Sequence, residues 1–290
     1  MNINVSHFYQ ALYMEGGKNF YCYNGATPIP SAMLSVKYQV TQTEKEDNPL
    51  TTLVGKCGSH YLYRNNYTLP LGYMVSESVV NNWNPQSSSK LYSINSLGKL
   101  LGADSDTLKS VECIQKVQAG QTTITFENDG YFYAAYESCG ADSLTFTHGK
   151  TKITYSKTTH RYMFDLGYFK AGETLTVTNS SAEPVRFNVY RLDMSAVQTA
   201  YDTLSRQTLD VDEFSDTYIK GHINVNDAGR LVMSVPSESG WTMKVDGEAV
   251  NYEDFCDTFI SIDLDSGEHE IELSYETPGL RAGAMISGGC

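Results

Sequence analysis

Residues 113–192 are cut into short extended runs by turn-forming clusters, and that rhythm restricts the fold more than anything else in the chain. The runs fall at 122–127, 131–136, 143–147, 150–155, 161–166, 173–178 and 185–191. Several alternate apolar and polar side chains, the period-2 pattern of a strand with two different faces. Short strands about ten residues apart predict an antiparallel β-sandwich over 113–192. The same rhythm returns at 208–214, 218–225, 229–236, 241–245, 259–264 and 268–275, which predicts a second small sandwich over 208–277. Asp246-Gly247 reads as a two-residue hairpin turn, because glycine accepts the positive φ such turns need. Ser266-Gly267-Glu268 reads the same way between its flanking strands. Asn128-Asp129-Gly130 makes 122–127 and 131–136 a hairpin with a three-residue turn.

Residues 1–112 have a different texture and read as mixed α/β. Val5, Phe8, Tyr9 and Leu12 recur at helical spacing behind a cap at Asn4 or Ser6. Pro28 and Pro30 mark the approach to a second short helix over 31–36, and 36–40 then alternates as a strand. The polar stretch 41–48 is a loop. Runs 60–64 and 72–76 are further strands, parted by the turn-forming Asn65-Asn66. Leu91, Ile94, Leu97 and Leu101 trace an amphipathic helix that stops at Gly102. Met194, Val197, Ala200, Tyr201 and Leu204 trace another over 193–207, linking the two β-units. The fold class is therefore mainly β, with an α/β N-terminal segment and two small β-sandwich units joined by a helix. A short segment, 278–290, ends the chain.

Composition narrows the chemistry. A net charge of −13 with no cluster of Lys or Arg excludes a nucleic-acid partner. No apolar run approaches the ~20 residues of a membrane helix. The six histidines are scattered without metal-ligand pairing, and no Gly-x-Ser-x-Gly elbow exists. Asp104-Ser105-Asp106 and the carboxylates Asp263, Asp265 and Glu268 lack calcium-loop spacing. No catalytic residue, metal or cofactor is expected. The six cysteines, Cys22, Cys57, Cys113, Cys139, Cys256 and Cys290, show no metal spacing and read mostly as free, buried thiols, Cys22 and Cys256 among aromatic neighbours. Tyrosine is abundant, at 21 residues. Tyr131, Tyr133 and Ala135 share one face of their strand, with Phe132 and Tyr136 on the other. One face is core; the Tyr131–Tyr133 pair on the other either packs structurally, the commoner outcome, or is exposed and stacks on a sugar ring.

One ending carries more than local structure: "GWTMKVDGEAV", then "FISIDLDSGEHEIELSYETPGLRAGAMIS". It resembles the extracytoplasmic C-terminal region of the bacterial YfhO family of multi-pass membrane proteins. Three other stretches are similar in the same order: Tyr23-Asn24-Gly25 onward to Tyr38, Leu69-Pro70-Leu71-Gly72-Tyr73-Met74-Val75, and Leu192-Asp193-Met194 onward to Gly221. The resemblance implies a C-type glycosyltransferase-like parent that handles lipid-linked sugars at the outer face of the bacterial membrane. It also implies that 278–290 begins a truncated membrane helix, and that the catalytic carboxylate lies in a membrane loop outside this chain. This region then acts as lid and acceptor-recognition element, non-catalytic by itself. Its partners are the membrane-embedded remainder and an envelope glycopolymer or lipid-linked sugar. On that basis Tyr21, Tyr23, Asn24 and Ser31 join Tyr131 and Tyr133 as candidate substrate contacts. A carbohydrate-binding or adhesion module, or a spacer without ligand, is the alternative.

Overall fold

The strand Gly130–Tyr136 is buried from Tyr131 to its end, on both faces. A strand with one wet face alternates; one covered twice does not. The computed structural model, which describes residues 2–45, 48–136, 141–181, 183–280 and 283, accounts for the double burial. Phe132, Ala134 and Tyr136 point into a sandwich core with Phe146, Phe164, Val177 and Phe187. Tyr131, Tyr133 and Ala135 point the other way, into a core built with helices. Of the two readings of the tyrosine pair, packing is the one the structure shows, and the exposed pair is corrected. The face partition holds, but helices from distant sequence cover the second face.

Those helices form a middle layer between two sandwiches. They are α1 (Ile3–Ala11), α2 (Pro28–Met33), α3 (Glu77–Asn82), α4 (Lys90–Leu100) and α5 (Met194–Leu204). The first sandwich has an inner four-stranded sheet in the order Phe164–Phe169, Gly130–Tyr136, Phe187–Leu192, Leu108–Val111. Its outer sheet has five strands: Thr151–Ser156, Ser143–His148, Thr174–Asn179, Gln121–Thr125 and Ile114–Gln118. The second sandwich has an inner sheet of Glu253–Phe255, Phe259–Leu264, Gly229–Pro236 and Gly72–Val75. Outside it lie Asp210–Ser215, Tyr218–Val225, Gly267–Tyr275, Trp241–Val245 and Glu248–Val250. Phe8, Ile29, Ile94, Leu97 and Val197 of the helices meet Tyr131, Tyr133 and Tyr190 on one side, and Tyr73, Val232 and Phe259 on the other. The chain is thus five layers deep, mainly β, with sheets on the outside and helices at the centre.

Each sandwich is completed by a strand from the N-terminal segment. Gly72–Val75 pairs with Gly229–Pro236, and Leu108–Val111 pairs with Phe187–Leu192. A smaller sheet, Tyr38–Thr41, His60–Asn65 and Thr51–Cys57, projects from the same segment.

Two turns do something other than expected. Gln121–Thr125 and Gly130–Tyr136 lie in opposite sheets of the first sandwich, so Asn128-Asp129-Gly130 crosses the core rather than closing a hairpin. Ser266-Gly267-Glu268 likewise carries the chain from the inner to the outer sheet of the second. Asp246-Gly247 is a true hairpin turn, with φ of 53° and 82°. Among the helices, α1 is capped by Asn2, whose side chain accepts from the Asn4 amide at 3.0 Å, rather than by Asn4 or Ser6. The second helix begins at Pro28, where a missing N–H costs nothing.

Cys22, Cys57, Cys113 and Cys256 are free thiols, and Cys139 and Cys290 lie outside the described residues. Cys22 and Cys57 are exposed, which corrects the expectation of burial for Cys22. It adjoins a two-residue strand, Phe20–Tyr21, which pairs with Gly16–Gly17. Cys256 is half-buried, and burial pushes its thiol up to about 12. No helix among the described residues is long and apolar enough to cross a membrane. The expected membrane-helix start within 278–290 falls, from residue 281 and apart from Gly283, outside the described residues.

Asp193 ties the linking helix to the first sandwich. Its Oδ1 accepts from the amides of Ser195 and Ala196 at 3.0 and 3.1 Å, capping α5. Its Oδ2 accepts from Ser105 Oγ at 2.9 Å and pairs with Lys109 Nζ at 2.6 Å. Partial burial acts to raise this carboxyl, but the Lys109 ammonium and the amide and hydroxyl donors outweigh it and hold it at about 2. A depressed carboxyl stabilises the fold above its unfolded value and loses that contribution as pH falls through the folded one. Between about pH 4 and pH 2, Asp193→Ala is therefore expected to flatten the acid loss of stability by about 2 kcal/mol. Urea unfolding of both proteins across that range checks it; parallel pH profiles would refute the assignment.

Candidate functional site

A cavity of about 370 Å³ opens where the inner-sheet edge strand Phe164–Phe169 meets the N-terminal segment. Tyr131, Tyr133, Tyr155 and Asp165 come to it from the sandwich, and Tyr23, Thr27, Ser31, Gln39 and Asn65 from the N-terminal side. It is the size of a small-ligand pocket.

Asp165 owes its place to a break in register. Tyr131 pairs with Tyr168 and Phe132 with Gly167, but Tyr133 pairs with Asp165, leaving Leu166 as an extra residue. Gly167, at φ +85°, supplies a conformation that other residues avoid. In an unbroken ladder Asp165 would face the aromatic core of the sandwich. One inserted residue moves it to the tyrosine side.

There the carboxylate is half satisfied. Its Oδ1 accepts from the Tyr131 hydroxyl at 2.6 Å and from the Gly167 amide at 3.1 Å. Tyr155 donates to the Asp165 carbonyl at 3.0 Å. Oδ2 makes no hydrogen bond to the described residues. Burial, reinforced by the Asp165 charge, raises the Tyr131 and Tyr133 hydroxyls well above the usual phenol range. Both are therefore neutral donors. The Tyr133 hydroxyl makes no hydrogen bond to the described residues.

Opposite lies a cluster centred on Tyr23. Its hydroxyl accepts from Gln39 Nε2 at 3.3 Å and Asn65 Nδ2 at 3.2 Å, and lies 2.5 Å from Ser31 Oγ. Two amide donors use the acceptor capacity of the phenol oxygen, so its proton goes to Ser31. Gln39 also donates to Asn65 Oδ1. Burial raises the Tyr23 hydroxyl, which keeps it neutral. Thr27 stands at the cap position of α2, yet its side chain caps nothing. Pro30 sits at the third helical position, where a capping amide would have been, and the buried Thr27 hydroxyl has no partner among the described residues.

The candidate residues divide as follows. Tyr23, Asn24, Ser31, Tyr131 and Tyr133 all line the cavity; Tyr21 does not, and its ring packs on Tyr9 at 5.1 Å. The Asn24 amide is turned toward buried Glu15, donating to Oε2 at 2.8 Å, while Glu15 Oε1 lies 2.8 Å from His160 Nδ1. That chain fastens the loop rather than presenting Asn24. Asp165, Gln39, Asn65 and Thr27 were missed. A legible signal existed for Asp165: a charge between Phe164 and Leu166 in a strand, with a glycine next, marks a bulge.

Of the carboxylates lining the cavity, Glu44 is exposed and Asp165 is half-buried. Lys45 Nζ is engaged with Gln39 Oε1 at 3.1 Å, and His148 lies 3.8 Å from Glu173. No group of three or more metal-ligating side chains occurs among the described residues. Neutral phenols, amides and the half-buried Asp165 carboxylate around flat ring faces suit a hydroxyl-rich ligand.

The description "Bacterial membrane protein YfhO" belongs to a family model that matches residues 1–287. No curated protein matches the chain. Among solved structures, vicilin from Capsicum annuum aligns at 11% identity over 54% of this chain and 72% of that one, with a TM-score of 0.14.

Proposed function

The chain belongs to the YfhO family of bacterial membrane proteins, and from that premise we propose that it is an extracytoplasmic part that recognises a saccharide acceptor. The membrane-embedded remainder of the protein transfers a lipid-carried sugar, and this region holds the envelope glycopolymer that receives it. The observation that carries the reading is the cavity: neutral tyrosine hydroxyls, side-chain amides and the Asp165 carboxylate converge on a ligand-sized space. Tyr23, Ser31, Tyr131 and Tyr133 are its contacts, with Asn24 holding the loop that carries Tyr23. The region binds and orients; the chemistry is done elsewhere in the protein.

Calorimetric titration with cell-envelope oligosaccharides tests this. Binding is expected, and Tyr23→Phe is expected to weaken it about tenfold, because the hydroxyl that organises Ser31, Gln39 and Asn65 is gone. Absence of binding to every saccharide offered would overturn the reading.

A further inference from the structure

A second cleft, of about 350 Å³, lies directly beside the cavity. The two share a wall, the cross-strand pair Tyr131 and Tyr168. They also lie on either side of one short segment: Asn48, Leu50 and Thr51 line the cavity, and Pro49 lines the cleft. From Tyr133 in the cavity to Gly130 in the cleft the strand advances by about 10 Å. That is longer than one pyranose ring.

The cleft has the chemistry to hold a further ring. Tyr131 is buried, but its partner Tyr168, on the edge strand of the inner sheet, is 41% exposed. The Tyr168 side chain makes no hydrogen bond or ring contact with the described residues. Arg191 brings a guanidinium that makes no ion pair or hydrogen bond with them either. Its stem is fixed by Gly130, which it crosses so closely that a Cβ there would lie 2.8 Å from Cδ. Other charged groups of the cleft are already engaged. Lys109 pairs with Asp193 at 2.6 Å, and Asp129 accepts from the Ala171 amide at 2.8 Å. A held, planar set of donors beside a bare aromatic face suits a hydroxyl-bearing ring: the guanidinium donates to neighbouring hydroxyls, and the phenol covers the apolar face.

We propose that the cavity and this cleft are consecutive subsites of one groove that binds linked saccharide units, with Tyr168 the stacking platform between them and Arg191 the donor to the outer unit. This rests on the saccharide reading above and adds a second binding site and the length of the ligand.

The test titrates the whole chain by isothermal calorimetry with graded series of N-acetylglucosamine oligomers and glucose oligomers, beside the envelope oligosaccharides used above. Affinity is expected to rise at least about tenfold between one unit and three, then level off. Arg191→Met keeps the stem that packs on Gly130 and removes the donors. It is expected to cancel most of that rise while leaving single-unit affinity within about twofold of wild type. Tyr168→Ala is expected to weaken the longer oligomers about fivefold or more, and Tyr168→Phe, which keeps the ring, to bind them as wild type does. Thermal midpoints of all three variants check folding. Equal affinity for one unit and for longer chains would overturn this inference and leave the saccharide reading standing. Arg191→Met and Tyr168→Ala variants that both kept the full rise with length would do the same. A chain that bound no saccharide of any length would overturn both.

Discussion

Gly25→Ala is expected to lower the unfolding free energy by about 3 kcal/mol or more, the largest effect of any single methyl group near the cavity. Gly25 adopts φ +86°, where an L side chain costs about 1–2 kcal/mol. A Cβ there would also lie 2.2 Å from the Tyr13 carbonyl oxygen and 3.0 Å from the Met163 amide nitrogen. Those two atoms are bonded to each other at 2.9 Å, joining the end of α1 to the first sandwich. Backbone cannot yield as a flexible side chain does, so the methyl must part that bond or move the 23–27 loop. Urea denaturation measures the loss, and tyrosine fluorescence reports the displaced loop. A variant within about 0.5 kcal/mol of wild type would show that the loop is not held as described.

Thr27→Val is expected to act in the opposite direction, raising stability by about 1–3 kcal/mol. The substitution keeps the shape and exchanges a buried, partnerless hydroxyl for a methyl group. Thr-to-Val at a helix cap ordinarily destabilises, because a capping bond is lost. Here no such bond exists to lose. If the hydroxyl is retained for a ligand, the same variant binds saccharide several-fold more weakly while melting higher. A gain in stability with unchanged affinity would make Thr27 a defect of the fold rather than a part of the site. A loss of stability would mean the hydroxyl is satisfied after all.

The architecture was largely legible because period-2 alternation survives wherever a strand separates two environments. Tyr131, Tyr133 and Ala135 were correctly set apart from Phe132 and Tyr136 on that basis. What covers the second face was not legible, since it depends on α1, α2 and α5, which arrive from distant sequence. Turns were read with the same asymmetry. Asp246-Gly247 encodes a hairpin because its backbone angles match the twist of paired strands. Asn128-Asp129-Gly130 and Ser266-Gly267-Glu268 encode chain reversal alone, and reversal beside a strand looks the same in sequence as reversal across a core. Thr51–Cys57 escaped notice because it is mostly exposed and carries little burial pattern. Within the cavity, Tyr23 and Ser31 were reachable through the family resemblance. Asp165 left one local trace, a charge ahead of a glycine in an apolar strand, but which way it faces is decided by an extra residue in the ladder.

The strand loans made by residues 1–112 have a practical consequence. Gly72–Val75 and Leu108–Val111 are each an edge in somebody else's sheet. Cutting the gene at the visible change of rhythm near residue 113 would strip both downstream modules of a border and leave unpaired backbone for another molecule to seize. A library of shortened versions should aggregate until both borrowed borders are restored.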